Sequence, residues 1–200
     1  MLIQFDPFAF VVALAAFLVA WRAHYLAKGA PEKARRREIR DEIRGRIEAL
    51  RESTSPLSII IDLGQPLVAP PADFNANVKA LDNLSDRVPE TTQIRGIHVT
   101  AFSLASRWYS AFHDETQYDL TKARAQKWQQ NLADARTSGT QAMIDAAAGH
   151  FDDYTNQAEK LRRVADASRT QVREGLSIFK TRADAYTDWL NTLDRGKAKR

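Results

Sequence analysis

The chain has 200 residues, 29 Lys and Arg against 25 Asp and Glu, a formal net charge of +4, and no cysteine. The length leaves room for one domain behind a short N-terminal segment, and the missing cysteine excludes a disulfide framework and thiolate chemistry. Residues 22–51 carry ten basic and five acidic side chains, while 52–196 carry sixteen and nineteen; the body therefore lacks the basic face of a nucleic-acid-binding domain, and no nucleic-acid partner is expected.

The run Phe8 to Trp21 (FAFVVALAAFLVAW) is uncharged and fourteen residues long, a length that by itself also fits a buried core helix or a signal-peptide core. Its flanks extend it. Asp6 and Pro7 read as an N-cap and first-turn proline, Gly29 suits the position after a helix end, and Pro31 stops continuation. The helix so bounded, Pro7 to Lys28, has 22 residues and a length of about 33 Å, enough for a hydrocarbon core of about 30 Å. Trp21 and Tyr25 stand where an interfacial aromatic belt belongs, and Arg22 can snorkel out of lipid. A cleaved signal peptide carries its positive charge before the apolar core; here Asp6 precedes the run, and the basic residues follow it. Residues 1–29 are thus expected to be a single transmembrane anchor in the cell membrane. The positive-inside rule places the N-terminus outside and the C-terminal body in the cytoplasm.

Residues 30–52 read as a basic amphipathic juxtamembrane helix. Ile39, Ile43, Ile47 and Leu50 share one face, and Lys33, Arg37, Arg40 and Arg44 step round another. With Arg36, this stripe is the candidate membrane-surface site, suited to anionic headgroups; the alternative is a solvated outer face of a bundle helix. Residues 53–72 are expected to be an irregular, proline-rich connector, with a short helix from Ser55-Pro56 to Gly64. The same segment is also a candidate for docking a partner. Asp73 is the expected N-cap of a helix ending near Val88, before Pro89.

From Glu90 onward there is no proline, and Thr137-Ser138-Gly139-Thr140 is the one strong turn signal. Two long helices, about 91–136 and 140–195, are expected to form an antiparallel hairpin within a bundle spanning 73–195, followed by a basic tail, 196–200. The polar stretch His113 to Gln117 is a candidate break in the first arm. In the second arm Phe151, Ala158, Ala165, Val172, Phe179, Tyr186 and Leu193 recur every seven residues, the mark of a helix-packing seam in a coiled coil or bundle.

The four histidines are dispersed, with no metal-ligand spacing, and no phosphate-binding, dinucleotide or nucleophile-elbow pattern occurs. His150 and Asp153 suit a surface pair better than a metal site. Asp114-Glu115 and Asp152-Asp153 are adjacent on a helix and point apart, so neither makes a carboxylate dyad. No catalytic, cofactor or metal site is expected.

The sequence thus leads to an all-α chain: a transmembrane helix followed by an elongated, coiled-coil-like helical hairpin or bundle. The expected function is non-enzymatic, a single-pass scaffold binding the lipid bilayer and either a protein partner or a second copy of itself. The alternative is an extracytoplasmic sensor or ligand-binding bundle tethered by an uncleaved signal anchor.

Overall fold

The computed structural model describes the backbone of residues 7–87 and 91–198 and the side chains of 14–25, 31–87 and 92–193. Among the described residues there are four helices and no strand: α1 (Pro7–Asp62), α2 (Ala72–Ser85), α3 (Thr91–Ser138) and α4 (Gln141–Ala198). They divide into two compact units, residues 1–42 and 43–200.

The first unit is helical from Pro7 onward, and its backbone runs on through Gly29 and Pro31, where the sequence suggests a stop. Among the described residues no helix is long and apolar enough to cross a membrane. The expected transmembrane segment is therefore not borne out there: the described apolar stretch begins at Leu14, and Arg22 and His24 interrupt it. The earlier part of the run, 8–13, lies outside the described side chains.

The second unit is a helical bundle. In α1, Ile43, Ile47, Leu50, Thr54, Leu57 and Ile61 are at most 3 % exposed, and their alternating spacing of four and three keeps them on one face. Pro56 lies inside this helix: the short helix expected from Ser55-Pro56 to Gly64 is present as the last turns of α1, continuous with the segment before it and ending at Asp62, and residues 65–71 are irregular. The end is a Schellman motif. Gly64 takes φ 65°, the Gln65 amide donates to the Ile60 carbonyl at 3.0 Å, and the Gly64 amide donates to Ile61 at 3.3 Å.

Helix α2 packs on α3, and α3 and α4 pack along each other as an antiparallel hairpin. Pro71 is the N-cap of α2 and Asp73 falls in its first turn, where a carboxylate favours the helix dipole. Val88 and Pro89, the expected end of this helix, lie outside the described residues. The α3 helix is continuous across 113–117. At the hairpin tip the Gly139 amide donates to the Ala135 carbonyl at 2.7 Å, and the Thr140 carbonyl accepts the first bond of α4, from the Ile144 amide at 3.1 Å. A Cβ on Gly139 would stand 2.6 Å from the Ala135 carbonyl oxygen, so this turn requires glycine.

The core changes along the hairpin. Near α1 and α2 it holds Trp108, Phe74, Phe179, Leu104, Val172 and Leu190, each at most 1 % exposed. Towards the tip the buried residues are Thr121, Ala125, Leu132, Ala135, Ala147 and Ala158, mostly small side chains that let two helices approach closely.

Candidate functional site

The predicted basic stripe is not one surface. Lys33, Arg36 and Arg37 are exposed on α1, and so is Arg35, which lies off the predicted stripe. Arg40 is 5 % exposed and Arg44 is half-buried. The stripe therefore loses its C-terminal half to burial. What remains is a short, exposed basic segment of the first unit, in which Arg36 pairs with Glu32 at 2.5 Å.

The seam residues lie on α4. Ala158, Ala165, Val172, Phe179 and Tyr186 are buried, and Phe151 and Leu193, at the two ends of the series, are half-buried. Leu176, Ala183 and Leu190 complete the buried face. It is a packing surface within the chain.

One polar cluster interrupts the apolar packing, at the level where α1 ends. Asp114 accepts from the Ser168 hydroxyl at 2.6 Å, and Glu115 accepts from the Arg169 guanidinium at 2.8 Å. Glu115 and Arg169 are 14 % and 21 % exposed, so the pair is partly withdrawn from water. Arg169 also donates to the Ile60 and Gln65 carbonyls, at 2.9 and 2.5 Å, and Arg173 reaches the Ile61 carbonyl at 3.4 Å. Two cations thus meet the C-terminal carbonyls of α1, where the helix dipole favours positive charge. The other Glu115 oxygen accepts the Leu67 amide at 2.7 Å, and the Trp108 indole donates to the Val68 carbonyl at 2.7 Å. Together these bonds fasten the connector between α1 and α2 onto the hairpin. Beside them lies a cleft of about 160 Å³ between Gly64, Pro66, Tyr118, Asp119, Arg162 and Arg169.

The polar residues of 113–117 signal this cluster in the sequence. Their partners stand 54 residues away, so a local reading finds the polarity and misses the bond.

A second cleft, of about 480 Å³, opens at the hairpin tip between Trp128, Asn131, Met143 and His150. The His150 ring lies 4.4 Å from that of Trp128, centroid to centroid, tilted by 30°. His98 approaches Asp82 at 3.4 Å, and His24 and His113 are exposed. Among the described residues no group of three or more His, Cys, Asp or Glu could hold a metal ion. The Glu159 carboxyl is held below its ordinary value: desolvation pushes it up, but hydrogen bonds from Arg163 and Arg162, with their charges, outweigh that. This exposed cluster is a solvated helix surface.

The arrangement offers surfaces for contact: an exposed apolar and basic segment in one unit, and a long two-helix arm with an open tip in the other. No protein family, curated protein or solved structure matches this chain.

Proposed function

We propose that the protein is a single-pass, membrane-anchored helical scaffold. Its C-terminal bundle acts, without catalysis, through contacts with another protein or with a second copy of itself at the membrane. The observation that carries this reading is the first turns of α1. Leu14, Phe17, Leu18, Val19 and Trp21 are 49–70 % exposed, and residues 14–25 are exposed on every side of the helix. A helix apolar all round is stable only when something apolar surrounds it. With residues 8–13, also apolar in sequence, the uncharged run reaches fourteen residues up to Trp21, and the helix from Pro7 to Lys28, with Arg22 and His24 near its end, has 22 residues, the length of a membrane span when Arg22 snorkels to the interface. The basic residues that follow orient the bundle towards the cytoplasm.

The test uses cysteines, which the native chain lacks. Ser138→Cys, at the hairpin tip, should resist a membrane-impermeant thiol reagent in intact cells and react after permeabilisation. The chain should also stay with membranes at alkaline pH. Release at alkaline pH would overturn the anchor. Labelling in intact cells would overturn the cytoplasmic orientation and leave the extracytoplasmic bundle as the reading to pursue.

A further inference from the structure

We infer that Lys33, Arg35, Arg36 and Arg37 form a collar that gathers anionic lipid headgroups around the anchor; the inference rests on the anchored reading above. Residues 31–38 are all exposed. Successive helical residues turn by about 100°, so Arg35, Arg36 and Arg37 fan over about 200°, with Lys33 on the side of Arg37. That is a broad arc rather than a stripe, since Arg40, which would have prolonged a stripe, is buried, and the exposed Glu38 falls in the open side of the arc. An arc this wide suits a planar array of headgroups lying against more than half of the helix, whereas a single acidic protein surface would call for one narrow face.

Distance favours the same partner. Counted from residue 28, the end of a 22-residue span, positions 33 to 37 lie about 7 to 14 Å further along the axis. A headgroup layer is about 5 to 8 Å deep on each side, so that interval begins at its outer edge and stays within about one Debye length of water beyond it, where the potential of anionic lipid is still felt. Three of the four side chains are arginines, whose planar fork binds phosphate oxygens in pairs. Glu32 is no barrier: its pair with Arg36 is exposed at both ends, 46 % and 68 %, and such pairs exchange readily for another anion.

The full chain would be reconstituted in phosphatidylcholine vesicles. Trace spin-labelled phosphatidylglycerol or phosphatidylcholine would report the lipid immobilised at the protein. The expected result is an association about five- to tenfold stronger for phosphatidylglycerol, falling towards equality in 1 M salt. The preference should also vanish in the combined variant Lys33→Gln, Arg35→Gln, Arg36→Gln, Arg37→Gln, whose helicity should be unchanged because all four positions are exposed. Immobilised phosphatidylcholine with no preference for the anionic lipid would overturn the collar and leave the anchor standing. A preference that survives the four substitutions would also overturn it. No immobilised lipid of either kind would overturn the collar and the anchored reading together.

Discussion

Phe179 and Lys180 adjoin in sequence and differ sharply in energy. Phe179 is fully buried, within a face completed by Val172, Leu176, Ala183 and Tyr186. Lys180 is exposed and donates to the Ser58 hydroxyl, at 3.2 Å. Truncating Phe179 to alanine loses the transfer energy of the ring and leaves a cavity, together about 3–5 kcal/mol. That is a large share of the roughly 5–15 kcal/mol holding a domain together. Lys180→Ala should cost under about 0.5 kcal/mol, as surface substitutions do. Chemical denaturation of the two variants should therefore give well-separated midpoints, and equal midpoints would put the stabilising seam elsewhere. This part of α4 was legible in the sequence because its apolar side chains keep a strict seven-residue period. The Glu115–Arg169 pair was not, because a polar residue in a seam reads as a break until its partner is known. Both carry charge into a partly dry site, where each is stable only because the other and the connector's backbone meet it.

At the scale of the element, α1 departs furthest from expectation, and Pro56 is the reason. Proline removes the amide that would bond to the Glu52 carbonyl and costs a helix interior about 3 kcal/mol. In the sequence, Ser55-Pro56 reads as the start of a short helix, where the missing amide costs nothing, rather than as a point inside a longer one. The structure keeps the helix because Leu57 and Ile61 are buried beyond the proline, at 0 % and 3 % exposed. At about 1.5–3 kcal/mol each, the two side chains can offset it. The sequence signal was present but broken at Thr54, a polar residue at a seam position. Its hydroxyl donates to the Arg51 carbonyl at 3.0 Å, so it can be buried much as valine would be. One prediction follows from the imbalance. Pro56 is exposed, so Pro56→Ala should restore a backbone bond without disturbing the packing. Allowing about 0.4–1 kcal/mol for the freer unfolded chain, the net gain should be about 2–2.6 kcal/mol, read as a higher denaturation midpoint. A loss of stability would mean that the helix depends on a bend at the proline.

At the scale of the molecule, the unit of residues 43–200 is uneven in what holds it. Near α1 and α2, large side chains fill the core, led by Trp108, Phe74 and Phe179. Towards the tip the two-helix arm is packed mainly through Ala125, Ala135, Ala147 and Ala158 with Leu132, and alanine withdraws little apolar area from water. The polar cluster of Glu115 and Arg169 lies between these regions in sequence. Local opening free energy follows buried apolar contact, so the arm should open before the bundle. In native-state hydrogen exchange, amides in 94–111 and 172–190 should exchange only with global unfolding. Those in 125–158 should exchange through a local opening lower in free energy, by about 2 kcal/mol or more on the scale of such differences. Trp128 and Trp108 are fluorescence probes of the two regions, and single-tryptophan variants retaining one or the other should show different denaturation midpoints. Coincident transitions with uniform protection would make the unit two-state and remove this distinction. Separate transitions would identify the arm as the adaptable part of the scaffold, since segments that rearrange on binding come from the less stable end of a fold. A partner bound there should then raise protection across 125–158 and leave that of 94–111 unchanged.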